Sequence, residues 1–503
     1  MKAMLMQILD SLAYCDPKAP RIESGRMAVI DIGSSSVRLV IYDDVQGYPF
    51  LILNQKIWAA FAENKGEGEF NLEQTKIDRV MAALEWFVWT ARQTQCSHMV
   101  VFATSAVREA QNGKDFVQQA ERKIGGRIHI LSGEAEAHLA TTGAMASIPD
   151  AKGVVIDLGG GSLELSDTSQ KHFTSLPLGV LSLKALSGDN PVKAKEILVK
   201  EIQKIDWLKD LPGNSIVAIG SGMRSIARLH MAAFDYPLEI THDYNLPPET
   251  GIEFCQKLIN GEDMGVRVQN ISKAYKDVLP YRAAALCALL ELENIDNVRF
   301  ATFGIREGVL FSQMASCPVS RDPLKAFALE LAHRQGRGAS YGRKLASWCA
   351  HLFPESNKRY LEVAALFAET GWREQALYRA TSQFNHVLGG AYVGANHKMR
   401  MKLATTAYFC HDSELTESIR AQASHFLCDD QIAECKAVGS LFQLAQILDP
   451  GALGTLDQFK LVRNNEGRLT IEGPEAFMHM ASEEVNKKLE TAEAAIKAAT
   501  KEK

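Results

Sequence analysis

The chain has 503 residues, of which 46% are hydrophobic and 23% charged, with 36 Gly and 16 Pro. Domains of about 150 residues are typical, so this length indicates roughly three domains with sizeable cores. The composition excludes collagen-like, disordered and low-complexity proteins. A net charge of −5 argues against a globally basic nucleic-acid binder, although a local basic groove stays possible. The nine cysteines include no CxxC pair, which predicts neither a zinc ligand set nor a disulfide framework and favours the cytoplasm.

The first 24 residues open with a mildly apolar stretch that Gln7 and Asp10 interrupt. Because only Lys2 supplies charge at its front, residues 1–24 predict a short helix and not a signal peptide. Nothing along the chain approaches the ~20 uninterrupted apolar residues that span a bilayer, so we expect no membrane association.

Strands and helices alternate from residue 25 to about 318, a pattern that is typical of an α/β fold. Apolar runs at 27–33 and 37–44 predict a hairpin around a turn made of small residues, namely Gly33, Ser34, Ser35 and Ser36. A third strand is predicted at 51–61 and an amphipathic helix at 73–93.

The same layout returns about 125 residues later, where VVIDLGGGSLELSD matches AVIDIGSSSVRLVIYD. The second turn also consists of small residues: Gly159, Gly160, Gly161 and Ser162. An internal repeat of this kind predicts two similarly folded lobes, lobe I at 25–144 and lobe II at 145–304. We expect a helix at 305–318 to complete lobe I.

Composition shifts after Pro318, and helical periodicity dominates from about 324 onward. One hairpin is predicted at 459–473, and the tail rich in Ala, Glu and Lys after Pro474 predicts a helix. Residues 320–503 therefore form a third, mainly helical domain.

Two glycine- and serine-rich turns, each preceded by an aspartate, are the strongest chemical signal. Small residues let backbone N–H groups approach a phosphate closely, and Asp31 and Asp157 at the ends of the preceding strands suit a metal ion opposite it. One such turn alone is as readily an ordinary hairpin, but two in register favour a phosphate site. Glu164 either supplies a second carboxylate for Mg²⁺ or points to solvent as strand carboxylates commonly do.

Two further segments carry ionisable groups that suit phosphate chemistry. Glu134, Glu136 and His138 open a predicted helix, where acidic residues also occur simply because they favour the helix dipole. Arg108 follows a buried strand; it either stabilises phosphoryl charge or serves as a surface or capping residue.

Six ordered blocks resemble the exopolyphosphatase/guanosine pentaphosphatase family, strongly over residues 25–318 and weakly beyond: DIGSSSVRLVIYD, VFATSAVREAQN, LSGEAEAHL, VVIDLGGGSLEL, AIGSGMRSIARL and GIREGVLF. The resemblance implies duplicated actin-like lobes, the ribonuclease H-like superfold shared with Hsp70 and sugar kinases. It also implies a helical HD-like C-terminal domain and a homodimer.

The resemblance also implies roles for individual residues. Glu136 would be the catalytic base, with Glu134 the next candidate, and Arg108 would assist on the transferred group. Asp157 and Glu164, together with Asp31, would hold Mg²⁺, with Mn²⁺ as an alternative. Both turns would cradle the end of the phosphate chain.

Several residues depart from the family pattern. Met223 and Arg224 replace smaller residues in a loop at 220–224, where both are expected to crowd a nucleoside and so favour a plain polyphosphate. Ala368 stands before Glu369 in place of a family His, so we expect no second hydrolase in the helical domain. Basic residues of that domain are predicted to line a path for the polyanion, or else to form a solvated surface: Arg334, Arg337, Arg343, Lys398, Arg400 and Lys402.

The expected function is metal-dependent hydrolysis of terminal phosphoanhydride bonds of inorganic polyphosphate. The nearest alternative is pppGpp 5′-phosphohydrolysis, which uses the same chemistry. A sugar or acetate kinase lacks support because no kinase-type Asp base or sugar-binding block is evident. A catalytically silent protein that binds (p)ppGpp is the remaining alternative, against which the retained carboxylates argue.

Overall fold

The computed structural model describes the following residues: 6–9, 21–45, 47–61, 70–265, 276–292, 294–315, 322–336, 338–368, 370–450, 454–475 and 483–499. The chain divides into two compact units, Met1–Arg321 and Asp322–Lys503. The first unit contains two lobes, each built on one mixed sheet.

Lobe I contains a six-stranded sheet in which β2, β3 and β4 form an antiparallel meander and β5 runs parallel to β2. Its strands are β1 (Gln7–Ile8), β2 (Met27–Ile32), β3 (Ser36–Tyr42), β4 (Leu51–Trp58), β5 (His98–Ala103) and β6 (His129–Ile130). Its helices are α1 (Gln74–Gln93), α2 (Ser105–Glu109), α3 (Gly113–Ile124) and α4 (Gly133–Ser147). Fully buried β-branched and aromatic side chains such as Ile30, Val101 and Phe87 form the core between sheet and helices.

The predicted N-terminal helix is wrong at Gln7–Ile8, which form β1 instead. These two residues pair in parallel with His98–Met99, and the Gln7 and Leu9 N–H groups donate to carbonyls of the β5 segment at 2.9 Å. The free edge of β5 satisfies backbone groups that a helix would satisfy locally, and this long-range pairing is invisible to local periodicity. Residues 1–5 and 10–20 of the predicted helix lie outside the described part of the chain.

Lobe II repeats this plan with a second six-stranded sheet, in the order β11-β12-β10-β7-β8-β9. Its strands are β7 (Gly153–Leu158), β8 (Leu163–Asp167), β9 (Phe173–Leu176), β10 (Ser215–Ile219), β11 (Asn245–Leu246) and β12 (Asn297–Phe300). Its helices are α5 (Val180–Leu186), α6 (Pro191–Ile202), α7 (Gly220–Ala233), α8 (Pro248–Ile259) and α9 (Leu279–Leu290). The β7–β8–β9 meander followed by the parallel strand β10 corresponds to β2–β3–β4 and β5, so the predicted α/β repeat is confirmed.

Helix α10 (Ile305–Gln313) follows lobe II in sequence but contacts lobe I. The Tyr42 hydroxyl donates to the Glu307 carboxylate at 2.6 Å, and α10 crosses α4 at glycines of both helices. A Cβ at Gly143 would lie 2.0 Å from the Gly304 carbonyl oxygen, and one at Gly308 would lie 1.8 Å from the Leu139 carbonyl oxygen. Only glycine permits this close crossing, which fixes where α4 and the start of α10 lie beside the sheets.

The second unit is mainly helical, as predicted. Its helices are α11 (Pro323–Gln335), α12 (Ala339–Cys349), α13 (Lys358–Ala368), α14 (Ala376–Gly389), α15 (His397–Phe409), α16 (Glu417–Ser424), α17 (Asp429–Leu448) and α18 (Glu483–Ala499). The predicted hairpin is present as β13 (Lys460–Arg463) and β14 (Leu469–Glu472).

Two further features bear on the sequence predictions. The seven cysteines that the structure describes are all free, and six of them are buried. Across the described ranges, no helix combines the length and the apolarity that crossing a membrane requires.

Candidate active site

The two small-residue turns face each other across a cleft between the lobes. Each turn closes in the same way: the Gly33 N–H donates to the Ser36 carbonyl at 3.0 Å, and the Gly159 N–H donates to the Ser162 carbonyl at 2.9 Å. The turns also touch, because a Cβ placed on Gly160 would lie 2.9 Å from the Ser35 hydroxyl oxygen. The lobes can approach this closely because the glycines of the second turn have no side chains.

The cleft has a volume of about 600 Å³. It is lined by most of the predicted site residues: Asp31, Gly33, Ser34, Ser35, Ser36, Glu136, Asp157, Gly159, Gly160, Ser162 and Glu164. Gly161 lies behind the turn, where a Cβ would come within 2.9 Å of the Ser105 hydroxyl oxygen, and Ser105 in turn is 3.0 Å from the Ser34 hydroxyl. Arg108 does not line the cleft but reaches it through Glu136.

Strand register explains how the carboxylates come together. Asp157 on β7 lies directly opposite Glu164 on β8, so both side chains share one face of the lobe II sheet. The corresponding pair in lobe I is Asp31 and Arg38. The repeat therefore places two carboxylates, Asp157 and Glu164, on one wall of the cleft. The other wall has one carboxylate and one guanidinium, Asp31 and Arg38.

Burial and mutual repulsion raise the pKa values of these acids. Burial, with a smaller contribution from the Asp31 carboxylate, raises the pKa of Asp157 to about 6. Burial, followed by the carboxylates of Glu136 and Asp157, raises the pKa of Glu164 well above its usual range. Such a group of buried, mutually repelling carboxylates is stabilised in its ionised form by nearby positive charge.

Glu136 differs from its neighbour Glu134 in burial and in partners. Glu136 is 7% exposed, whereas Glu134 points to solvent on the first turn of α4. Arg108 donates from Nη1 both to Glu136 Oε1 and, at 2.6 Å, to the Leu131 carbonyl. Burial raises the pKa of Glu136 to about 7 even though the Arg108 guanidinium opposes the shift. A carboxylate with a pKa near neutrality can accept a proton from water at physiological pH.

Four arginines in the cleft were not assigned a phosphate-binding role from the sequence: Arg38, Arg224, Arg282 and Arg306. Arg306 donates from Nη1 to Asp31 Oδ2 at 3.0 Å. Its neighbour Glu307 accepts the Gly304 N–H at 2.8 Å, which anchors the start of α10 at the cleft. The block GIREG contained a signal for Arg306, namely a cation at a helix start after a buried strand. Its partner Asp31 is 275 residues away, so the contact itself could not be predicted.

The prediction that the loop at 220–224 crowds a nucleoside is wrong for Met223 and stays a prediction for Arg224. Met223 is buried in the core of lobe II, because the loop residues begin α7 and its side chain faces the sheet. Arg224 lines the cleft, and its Nη1 donates to the Ala301 carbonyl at 3.0 Å. Burial lowers the pKa of Arg224 to about 10.

The donor set fits a hard divalent cation held in part through water. Asp157, Glu164 and Asp31 offer only carboxylate oxygens, the ligands that Mg²⁺ and Mn²⁺ prefer. The Glu164 carboxylate also accepts from the Ser175 hydroxyl at 3.2 Å, which orients it. Within the described residues, no three His, Cys, Asp or Glu side chains are close enough to form a ready-made ligand set. Mg²⁺ keeps several waters in most protein sites, so it does not need a complete set of protein ligands.

Two of the basic residues predicted to line a polyanion path, Arg400 and Lys402, contact other groups within the helical unit. Arg400 is 1% exposed and donates to the carbonyls of Leu388, Gly390 and Tyr392 at 2.7–3.0 Å. Lys402 pairs with Glu434 at 2.7 Å and lies over a tyrosine ring. Both predictions are wrong, because these cations satisfy groups inside the helical unit.

The other members of the predicted path differ in their surroundings. Arg334 is paired with Glu330 at 2.6 Å, whereas Arg343 and Lys398 are exposed. Arg337 and Glu369 lie outside the described residues, and Ala368 is buried at the end of α13.

Comparisons with known proteins identify the class to which this fold and site belong. Residues 40–317 match the Ppx/GppA phosphatase family, and residues 324–499 match the family "Exopolyphosphatase, C-terminal". The first match covers more than half of the chain, and the protein therefore belongs to the Ppx/GppA phosphatase family. The predicted architecture, two duplicated α/β lobes followed by a helical region, is confirmed.

The relatives to which this chain is similar carry two different enzyme names. Exopolyphosphatase 1 of Mycobacterium leprae is 29% identical over 228 residues, which are 41% of this chain and 66% of that protein. The guanosine-5′-triphosphate,3′-diphosphate pyrophosphatase of Pseudoalteromonas atlantica is 24% identical over 302 residues, 57% of this chain and 58% of that one. The crystal structure of an exopolyphosphatase from Cytophaga hutchinsonii shares the fold, with a TM-score of 0.51 and 18% identity over 58% of this chain and 99% of that one.

Proposed function

We propose that this protein is an exopolyphosphatase, which hydrolyses the terminal phosphoanhydride bond of inorganic polyphosphate and releases orthophosphate. One observation carries the proposal: a buried carboxylate with a pKa near 7, Glu136, faces a cleft floored by two backbone turns suited to phosphate. The names of the M. leprae relative and of the C-terminal family support the choice of substrate.

The turns 33–36 and 159–162 bind the end of the phosphate chain through backbone N–H groups. Arg306 and Arg224 add positive charge at the same cleft, where phosphoryl transfer develops negative charge on the equatorial oxygens. Asp157 and Glu164, assisted by Asp31, would hold Mg²⁺ or Mn²⁺ partly through water. Such a cation, when bound, would supply positive charge opposite the phosphate oxygens and between these acids.

Glu136 accepts a proton from the attacking water as the water oxygen bonds to the terminal phosphorus. The bond between that phosphorus and the bridging oxygen breaks, and the shortened polyphosphate leaves with the bonding electrons. Arg108 keeps the Glu136 carboxylate ionised and oriented. The loose transition state needs little covalent assistance, so positioning and electrostatics supply most of the catalysis.

We also propose that the protein acts in the cytoplasm and as a homodimer. Free, mostly buried cysteines are consistent with a reducing compartment. The second candidate function, pppGpp 5′-phosphohydrolysis, is favoured by the name of the P. atlantica relative. The partly buried Arg224 lines the cleft beside α7, and a bulky side chain at that place favours a slender phosphate chain over a nucleoside.

The discriminating experiment measures phosphate release from long-chain polyphosphate, pppGpp and ATP side by side, with Mg²⁺ and with EDTA. We expect the highest kcat/KM on polyphosphate, and no turnover after chelation until Mg²⁺ or Mn²⁺ is restored. A preference for pppGpp would replace the proposed substrate. Absence of turnover on all three would leave a binding protein, and full activity in EDTA would remove the metal role.

A further inference from the structure

The first residues of α7 line the cleft beside the carboxylates of lobe II. Gly220 has a φ of +93°, and a Cβ there would lie 3.4 Å from Asp157 Oδ1. Gly222 follows two residues later, about 3 Å further along the helix axis. The start of α7 is therefore within reach of the groups that follow the terminal phosphate of a substrate bound at the two turns.

Arg282 on α9 packs against this start of α7. A Cβ on Gly222 would lie 2.5 Å from Arg282 Nε, 2.8 Å from its Cδ and 2.9 Å from its Cζ, so the guanidinium lies against the glycine backbone. The side chain is partly buried and lines the cleft. A guanidinium therefore forms this part of the cleft wall, and only glycine at position 222 leaves room for it.

Arg224 brings a second guanidinium to the same helix start. Its Nη1 donates to the Ala301 carbonyl at 3.0 Å, and among the described residues no carboxylate forms a salt bridge with it. Burial lowers the pKa of Arg224, and the guanidinium of Arg306 lowers this pKa further. A partly buried cation that other cations surround is stabilised when an anion binds beside it.

Both arginines lie near the beginning of their helices, Arg224 as the fifth residue of α7 and Arg282 as the fourth of α9. Helical side chains lean toward the N-terminus, where the positive end of the helix dipole disfavours a cation and favours an anion. Two further carboxylates line the cleft: Asp189 pairs with Lys184 at 3.6 Å, and Asp277 lies just before α9. An anion between the two guanidiniums would offset both unfavourable placements.

We propose that Arg282 and Arg224 form a second phosphate subsite, which binds an inner phosphate of the polyphosphate chain. Arginine holds phosphate through two parallel N–H···O bonds, a geometry that suits each unit of a phosphoanhydride chain. The subsite rests on the proposed function, because it requires the terminal phosphate to lie at the turns 33–36 and 159–162. It adds affinity that depends on chain length, since orthophosphate occupies the turns alone and a longer chain also reaches the arginines.

Calorimetric titration of Glu136→Gln, which holds the chain without turnover, measures this dependence on length at a fixed Mg²⁺ concentration. Adding Arg282→Met preserves the length of the side chain and removes its charge. We expect the Kd of tripolyphosphate to rise about 10- to 100-fold, as loss of a charge-assisted hydrogen bond predicts, while the Kd of orthophosphate stays unchanged. Arg224→Met should give the same pattern, and Arg282→Lys should recover part of the loss.

Arg228→Met is the matched control, because it removes an exposed cation of α7 that does not line the cleft. It should leave the Kd of both ligands unchanged. The unchanged Kd of orthophosphate, together with circular dichroism, shows that each variant keeps its folded cleft.

The outcomes separate this subsite from the proposed function. A wild-type chain without turnover on polyphosphate would overturn the proposed function, yet a selective loss of tripolyphosphate binding in Arg282→Met would still establish the subsite. Equal losses for orthophosphate and tripolyphosphate, a loss of the same size in Arg228→Met, or no loss in Arg282→Met would overturn it.

Discussion

Arg108 and Glu136 form an ion pair: the guanidinium of Arg108 donates to the Glu136 carboxylate and, through the same Nη1, to the Leu131 carbonyl. The pair joins α2 to the first turn of α4, two elements separated in the sequence by α3 and β6. The sequence predicted these residues for separate tasks, a transition-state cation and a base. The structure shows that they are partners, so the state of one depends on the other.

The first prediction concerns the acid limb of the pH–rate profile. Glu136 must be ionised to act as a base, so kcat/KM should fall as the pH drops below its pKa. Burial raises this pKa to about 7, and the Arg108 guanidinium opposes that rise. Arg108→Gln should therefore move the acid limb upward by about 1–3 pH units, the usual effect of a charge at this range. Arg108→Lys retains a cation and should move it less. A limb that stays in place or moves down in Arg108→Gln would contradict the pairing.

The second prediction separates two glutamates on the same helical turn. Glu136→Gln preserves volume and hydrogen bonding but removes basicity, so kcat should fall about 10²–10⁴-fold while polyphosphate binding persists. Glu134→Gln makes the same chemical change at the exposed neighbour and should leave kcat within a few-fold of wild type. The reverse result would make Glu134 the base.

Much of the site could be predicted because its residues repeat locally. Asp31 and Asp157 end strands before small-residue turns, and the hairpins between them and their partner strands are set by neighbouring residues. Arg306 could not be placed, because it reaches Asp31 only after α10 returns from lobe II to lobe I. Contacts between residues far apart in sequence depend on topology, which local periodicity does not specify.

In the helical unit, too, the sequence pattern did not predict where a side chain lies. A cluster of lysine and arginine residues predicted a surface that binds polyanions. Arg400 instead lies in the interior of the unit, with its guanidinium 3.8 Å from the centroid of the Tyr392 ring. Helical periodicity does not identify this position as buried, because arginine is usually exposed. Arg400 is buried because the backbone carbonyls at the end of α14 and just beyond it need hydrogen-bond donors, which its guanidinium supplies.

The third prediction tests Arg306. Replacing it by Gln removes a charged donor at the cleft and the cation that most lowers the pKa of Asp157. Charge-assisted hydrogen bonds of this kind contribute about 1.5–3 kcal/mol, so kcat/KM should fall roughly 10- to 100-fold. Arg306→Lys should recover part of the loss. Lys114→Gln makes the same change of charge at an exposed position of α3 and serves as the control. Equal activity of Arg306→Gln and the control would remove Arg306 from the site.

The fourth prediction concerns the stability of the helical unit. Arg400→Met would leave the carbonyls of Leu388, Gly390 and Tyr392 without their donor. Each unsatisfied buried group costs about 1–3 kcal/mol, so we expect a loss of roughly 3 kcal/mol or more in the free energy of unfolding. Lys398→Met, two residues earlier and exposed, should change it by less than about 0.5 kcal/mol. Calorimetry of the full chain measures both, and equal transitions in the two variants would contradict the assignment.

The last prediction concerns acid stability through His230 in lobe II. The ring is buried, stacks on Phe234 with centroids 4.3 Å apart, and its Nδ1 lies 2.8 Å from the Tyr244 hydroxyl. Burial lowers the pKa of His230 to about 4, below the value near 6.5 of an unfolded histidine. The unfolded state then binds the proton more readily, so this stabilisation is complete above about pH 6.5 and is lost as the pH falls towards 4.

The loss amounts to about 1.4 kcal/mol per pH unit for one proton. His230→Gln should therefore be less stable than wild type at pH 7, with a difference that narrows by about that amount for each unit between pH 6.5 and 4.5. Urea unfolding at pH 7, 6, 5 and 4.5 supplies the comparison. Parallel pH profiles for wild type and His230→Gln would show that His230 titrates alike in the folded and unfolded chain.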